Sequence, residues 1–269
     1  MKKVTAFVGA GRKGHTYQAV RKFLERLETL GDVETELVRL GDYRIETCRG
    51  CKVCFEKGEE LCPLKDDRDV LIDKMTASDG LVFASPNYSF QVSGMMKVFL
   101  DRLGYAFHRP QFHGKTYTSI VVQGIHGGRK LVKYLDFVGY GLGFNVVKGT
   151  FSTAFVPMTD KERLKRDKAL AKQARRFHER LFKEAYPVPG LLGLAIFRMA
   201  RSGMGAELDE RSRDWRYYTE KGWFDSDYWY PTRLGLMKRA AGSLFDVLFT
   251  RIYSAKAAKR GARALGESL

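Results

Sequence analysis

The stretch from Gly80 to Arg102 constrains the fold more than any other. Leu81, Val82, Phe83 and Ala84 form a short unbroken apolar run, as expected for a strand buried on both faces of a parallel sheet. Pro86 has no N–H and holds Ser85 extended, so Ser85-Pro86-Asn87-Tyr88 is expected to end that strand as a polar turn. Ser93 then stands where a helix cap belongs, ahead of Met96, Phe99, Leu100 and Leu103 at helical spacing. Strand, turn and helix in that order put a loop at the carboxyl edge of an open sheet, where ligands bind.

Two further joints have the same form. Lys3 to Val8 reads as a first strand and Thr16 to Leu30 as a first helix, joined by Gly9-Ala10-Gly11-Arg12-Lys13-Gly14-His15-Thr16. Glycines let such a loop turn several N–H groups toward one point, and the helix that follows adds its positive end, a combination that binds phosphate. Arg12, His15 and Thr16 add side-chain donors. Gly9, Gly11 and Gly14 also have the spacing of a dinucleotide loop. Against that rival, Asp42 comes late and in a turn, and Arg12 suits a monophosphate. The third joint follows a strand from Lys115 to Val122: Gln123-Gly124-Ile125-His126-Gly127-Gly128, rich enough in glycine for close approach to a flat ligand. With strands at Val33 to Leu40 and Asn145 to Phe155, five strands alternate with helices, the pattern of a doubly wound α/β sheet. Asp66 and Asp67 read as caps of the helix that follows them, and Tyr105 to Gly114, with His108, Arg109 and His113, as a solvated loop.

All four cysteines fall in one run, Cys48-Arg-Gly-Cys51-Lys-Val-Cys54 and then Cys62-Pro63. In a cytosolic chain such clustering argues for metal or redox chemistry rather than disulfides. Three thiols at i, i+3 and i+6 with a fourth before proline resemble a ferredoxin run. Zinc, which more often takes two separated pairs, and redox-paired or uncoordinated thiols are the other uses open to them.

The Ser85-Pro86-Asn87-Tyr88 turn, followed by Ser93-Gly94-Met95-Met96-Lys97-Val98-Phe99-Leu100-Asp101-Arg102, resembles the flavin-contacting segment of flavodoxin-like NAD(P)H-dependent FMN reductases. With the cysteine run, the likeness narrows to the iron-sulfur flavoprotein branch and covers about the first 155 residues. It implies a five-stranded parallel sheet of order 2-1-3-4-5, FMN as cofactor, NAD(P)H as co-substrate, and a 4Fe-4S cluster on Cys48, Cys51, Cys54 and Cys62. Carried onto this chain, the cofactor contacts would be Gly9, Gly11, Arg12, His15 and Thr16 for the phosphate. Ser85, Pro86, Asn87, Tyr88, Ser89, Gln123, Gly124, His126 and Gly127 would serve the ring. In that family the first loop usually reads Gly-Ser-Pro-Arg-Lys-x-x-Asn-Thr; here Ala-Gly replaces Ser-Pro and His15 replaces Asn. No side chain is expected to act as acid or base, since the flavin carries the chemistry. The alternative is a non-catalytic electron carrier.

Residues 1–186 therefore read as an FMN domain with its cysteine-rich loop at 48–62, and 187–269 as a basic, aromatic-rich helical extension. The chain carries a net charge of +16, and from Asp160 onward 24 Lys and Arg face 14 Asp and Glu. Such an excess in a tail suggests an attachment surface. Trp215, Tyr217, Tyr218, Trp223, Phe224, Tyr228, Trp229 and Tyr230 need burial, against a partner subunit, the main domain or a bilayer interface. Homo-oligomerisation through the extension is the expectation, with contact to anionic membrane as the other use and nucleic acid not expected. No signal peptide is visible and no run of ~18–20 apolar residues appears, so a cytoplasmic location is expected.

Overall fold

The structure is a computed structural model that describes residues 1–155 and 157–266, with side chains described as far as 256. In chain order the elements are β1 (Lys2–Val8), α1 (His15–Glu28), β2 (Val33–Arg39), α2 (Val53–Glu56), α3 (Arg68–Thr76), β3 (Gly80–Tyr88) and β4 (Gln91–Val92). There follow α4 (Gly94–Arg102), α5 (Gly104–His108), β5 (Thr116–Gln123), α6 (Gly128–Gly141), β6 (Asn145–Val146) and β7 (Thr150–Thr153). The last four are α7 (Asp160–Leu181), α8 (Leu191–Glu207), α9 (Arg213–Glu220) and α10 (Leu236–Gly266). They form two compact units, Met1–Arg49 with Leu64–Ala185, and Gly50–Pro63 with Tyr186–Leu269. The sequence suggested one boundary near 186; the fold gathers residues 50–63 with the extension.

The first unit is a flavodoxin-like α/β sheet. β1 lies parallel between β2 and β3, with Val4 to Val8 in register with Gly80 to Ala84. β3 pairs in parallel with β5, and β5 with β6 and then β7. The path β2-β1-β3-β5-β6 is the expected order once the short hairpin strand β4 is set aside. The fifth strand, expected to run from Asn145 to Phe155, comes in two pieces. Between them the Gly149 N–H turns to the Asp136 carboxylate (3.1 and 3.2 Å), and the Lys148 carbonyl accepts from Gln173 Nε2 (2.8 Å). A side chain at Gly149 would place its Cβ 2.0 Å from Ser119 Oγ, so only glycine passes there.

β3 also runs on through Pro86 to Tyr88, where the sequence predicts a turn. Its pairing with β1 ends at Ala84 while pairing with β5 continues to Pro86. Beyond Ala84 one side of the strand is an edge, where a missing N–H is tolerated. On one face of the sheet Val20, Phe23 and Leu27 of α1 meet Leu170, Ala174 and Phe177 of α7 over Val4, Ala6, Val82 and Ile120. Each large side chain buried so contributes roughly 1.5–3 kcal/mol. The inward stripe of α7 is thus Leu170, Ala174, Phe177 and Leu181, and Leu164 is exposed. On the other face Phe99 of α4 stacks on Phe7 and meets Phe83 edge-on.

Of the two acids expected to cap α3, Asp67 stands at the cap position without a side-chain cap bond, and Asp66 does more than cap. Asp66 Oδ1 does accept the Arg68 N–H at 3.1 Å, but Oδ2 accepts the Glu46 N–H at 2.8 Å and pairs with Arg102. Asp67 Oδ2 accepts the Arg44 N–H at 2.7 Å, and the Arg44 carbonyl accepts from Asp67 N at 2.9 Å. Residues 44–46 and 65–68 are thereby stitched together. Tyr105 to Gly114 is not a solvated loop either: it begins as helix α5, and Arg109 is buried. The His113 ring packs under Gly143, and burial lowers its pKa to about 4 despite a bond with the Gly143 backbone.

In the second unit the aromatics of the extension bury one another. Phe197, Tyr218 and Trp223 form a core with Phe224, Tyr228 and Trp229 packed against it. Trp223 Nε1 donates to the Trp229 carbonyl at 2.9 Å, so the indole polar group is satisfied. Arg198 bridges Asp227 and Asp246, both at 2.6 Å, and ties α8 to α10. The cysteine-bearing segment joins this unit through α2, which packs on α9, and through Ser212 Oγ donating to the Phe55 carbonyl at 3.3 Å. Among the described residues no helix is long and apolar enough to cross a membrane.

The stitched pair and the buried imidazole set the acid stability. Burial would push the Asp66 carboxyl up, but Arg102 and the Glu46 and Arg68 N–H groups hold it below the usual range. Its contribution is present above about pH 4 and lost as pH falls below that. His113 is neutral in the fold, so stability falls as pH drops from 6.5 toward about 4. Urea unfolding against pH checks both: His113→Gln flattens the upper limb, and Asp66→Ala costs about 1–3 kcal/mol at neutral pH by removing one buried partner of Arg102.

Candidate functional site

The parallel register sets Val8 beside Ala84 and Ala84 beside Ile120. The segments that follow these residues leave the sheet at one rim. They bound a cleft lined by Ala10, Arg12, Gly14, His15, Thr16, Pro86, Asn87, Tyr88, Val122, Gln123, Gly124 and Ala154. Its enclosed volume is about 130 Å³, and its mouth is open to solvent.

At one end of the cleft α1 begins at His15 with no side chain capping it and no acid in its first turn. Its leading N–H groups and positive dipole end are left for an outside acceptor. Arg12 is exposed there and makes no ion pair among the described residues; its side chain lies along Gly14, where an added Cβ would stand 3.4 Å from Nε. Thr16 is buried. The arrangement is that of a small anion site.

At the other end lie Pro86, Asn87 and Tyr88 from β3 and Gln123 and Gly124 from β5. Asn87 is oriented by donating through Nδ2 to the His126 carbonyl at 2.5 Å. Its Oδ1 is buried and has no hydrogen-bond partner among the described residues. A buried acceptor left open costs free energy unless something donates to it. Gln123 is held by Nε2 bonds to the Ile125 carbonyl (3.2 Å) and Thr153 Oγ1 (3.1 Å), while its Oε1 accepts the Gly128 N–H at 2.5 Å. Gly127 has φ +100°, and a Cβ there would meet Asn87 Nδ2 at 2.9 Å.

The predicted residues thus divide by place. Arg12, His15, Thr16, Pro86, Asn87, Tyr88, Gln123 and Gly124 line the cleft, whereas Gly9, Gly11, Ser85, Ser89, His126 and Gly127 do not. Several of the second group hold the first. Ser93 Oγ donates to the Gly9 carbonyl at 2.5 Å and accepts the Met96 N–H at 3.2 Å, capping α4 and fixing the first loop to it. Ser85 Oγ in turn accepts the Ser93 N–H at 2.9 Å. Ser89 and Phe90 form the hairpin tip with φ of +49° and +63°. Gly14, Ala10, Val122 and Ala154 were not foreseen as lining. The first three adjoin motif residues in sequence, but nothing local marks Ala154. A second crevice, lined by Lys22, Glu25, Arg26, Thr29, Asp167 and Leu170, is crossed by the Lys22–Asp167 ion pair and shares none of these motifs.

Cys48 and Cys51 are exposed, and Cys54 and Cys62 half-buried. Gly50 and Lys52, on either side of Cys51, both have left-handed backbone (φ +65° and +60°). Among the described residues no three His, Cys, Asp or Glu side chains are grouped so as to hold a metal ion.

The sequence profile of the NADPH-dependent FMN reductases matches residues 2–157, the span that builds the sheet and all three loops. The chain belongs to this family. An iron-sulfur flavoprotein of Archaeoglobus fulgidus is 35% identical over 158 residues, 55% of this chain and 70% of that protein. One from Clostridioides difficile is 29% identical over 168 residues, 59% of this chain and 72% of its own length. Two solved structures share the fold. RosB with bound 8-demethyl-8-formylriboflavin-5'-phosphate has a TM-score of 0.55 at 15% identity, covering 88% of this chain and 92% of RosB. An azoreductase of Bacillus anthracis has 0.52 at 13%, covering 66% of this chain and 100% of its own. As a member of the FMN reductases the protein is a flavin oxidoreductase, with FMN as cofactor and a nicotinamide as co-substrate.

The FMN reductase loop is packed from behind, which can be tested. A Cβ on Gly9 would lie 2.8 Å from both Met96 Cβ and Ser93 Oγ. Gly9→Ala is expected to cost about 1–3 kcal/mol of stability as overpacking. Gly124→Ala, with nothing within 4 Å of its added Cβ, should leave the thermal midpoint unchanged. Thermal unfolding of the two variants checks the contrast.

Proposed function

We propose that the cleft takes FMN with its phosphate at the start of α1 and its ring between the Pro86–Tyr88 and Gln123–Gly124 segments. The observation that carries this is the pairing of an uncapped helix start beside unpaired Arg12 with the orphaned Asn87 Oδ1 at the ring end. A singly phosphorylated isoalloxazine offers a dianion for the first. For the second it offers a ring N–H flanked by carbonyls, which Asn87 Oδ1 would accept. Bound FMN supplies the chemistry, taking a hydride from the nicotinamide and releasing electrons to an acceptor. The chain's own residues bind and orient. Arg12 and Thr16 grip the phosphate. Pro86 and Tyr88 give the ring an apolar wall, and the bonds of Gln123 keep the β5–α6 loop close to it. No titratable side chain lines the ring end apart from Tyr88, in keeping with a reaction that needs no acid or base from the protein.

The cysteine run is the second part of this reading. Four thiols at Cys48, Cys51, Cys54 and Cys62 are the donor set of a 4Fe-4S cluster, which exchanges electrons singly, and relatives named iron-sulfur flavoproteins support that assignment. Among the described residues the thiols are not gathered into a metal site; their spacing and the relatives support the assignment.

Anaerobically purified protein is expected to show flavin absorption, to oxidise NAD(P)H when FMN-loaded, and to contain about four irons per chain; zinc in their place overturns the cluster. Arg12→Ala is expected to weaken FMN about tenfold or more, the worth of a charge-assisted hydrogen bond, while riboflavin binding is unchanged. Fluorescence titration with both flavins reads this, and an equal loss for the two would remove Arg12 from the phosphate.

A further inference from the structure

α10 carries an apolar face that is exposed among the described residues of its unit. Leu236, Met237, Leu244, Val247, Leu248 and Ile252 are 84%, 89%, 66%, 50%, 48% and 40% exposed. At 3.6 residues per turn they fall within one side of the helix, and from Leu236 to Ile252 the helix rises about 24 Å. The opposite side is the packed one. Gly242 lies against the Arg198 guanidinium, Asp246 binds Arg198 and Arg201, and Tyr253 lies against Gly203. The stripe is therefore not the seam that holds α10 to α8.

Its charges are of one sign. Lys238, Arg239, Arg251 and Lys256 are the basic residues of this stretch, and Arg251 projects from within the apolar side. Asp246, the acid of the same stretch, is consumed by the two arginines of α8. A second copy of the chain would suit such a face poorly. A two-fold contact sets the same patch against itself and would bring Arg251 and its neighbours together with no carboxylate between them. A lipid surface with anionic headgroups offers what the face lacks: negative phosphates for the rim and an acyl boundary for the stripe.

We propose that α10 lies in the plane of an anionic membrane, apolar stripe down, and that it holds the oxidoreductase at the surface of a bilayer it does not cross. The inference is independent of the flavin and cysteine assignments. The test uses the full chain, loaded with FMN, and vesicles of phosphatidylcholine with or without phosphatidylglycerol. Co-flotation with the anionic vesicles is expected in about 0.05 M salt, at least tenfold weaker in about 0.5 M salt and absent with phosphatidylcholine alone. Leu244→Ser/Leu248→Ser and, separately, Arg239→Glu/Arg251→Glu are each expected to abolish it. Both variants should keep the circular dichroism and the FMN fluorescence of the parent, since all four side chains are exposed. Failure of the parent to float, or flotation that both variants retain, overturns the proposal. So does a parent dimer in sedimentation velocity that Leu244→Ser/Leu248→Ser converts to monomer, because the face is then spent on a second copy.

Discussion

The parallel register of β1, β3 and β5 is the constraint on which the site depends. With Val8, Ala84 and Ile120 abreast, three loops far apart in sequence must leave the sheet at one rim. A slip of one residue in any pair would exchange the two buried faces of a strand and swing its loop away. The register is held by apolar side chains on both faces, Val4, Ala6, Val82 and Ile120 on one and Phe7, Phe83 and Phe99 on the other. Neither face can be surrendered without exposing a core.

Once the loops share a rim, a few polar bonds fix them to each other. Ser93 is the joint. It caps α4, ties down the first loop through the Gly9 carbonyl, and receives support from Ser85 beneath the β3 turn. The residues that touch the cleft are thus rigid because residues one layer behind them are. Asn87 and Gln123 are oriented in the same way by donating to carbonyls of the β5–α6 loop, and among the described residues Asn87 Oδ1 is left buried without a partner.

The second unit follows different physics. Its aromatics close on themselves with Tyr218 and Trp223 at the centre, so the need for burial that the sequence announces is met inside the unit. What remains outside is the aliphatic side of α10. The cysteine-bearing segment belongs to this unit through α2 and α9; within the sheet unit, residues 44–46 and 65–68 are bonded to one another through Asp66 and Asp67.

Local sequence was enough for the alternation of strand and helix, the cap at Ser93 and the glycine-bearing turns after β1 and β5, because each depends on neighbours a few residues away. The family resemblance carried the strand order and most of the cleft residues for the same reason, since Arg12, Pro86, Asn87 and Gln123 sit within short motifs. Tertiary contact decided the rest. Pro86 stays in its strand because β1 has already ended beside it, His113 is packed because Gly143 covers it, and the fifth strand breaks because Asp136 and Gln173 claim its backbone. Ala154 reaches the cleft only because β7 pairs with β5. The identity of a residue sets what it can bond. Which partner arrives, across tens to more than a hundred positions of chain, is settled by packing that no local pattern encodes.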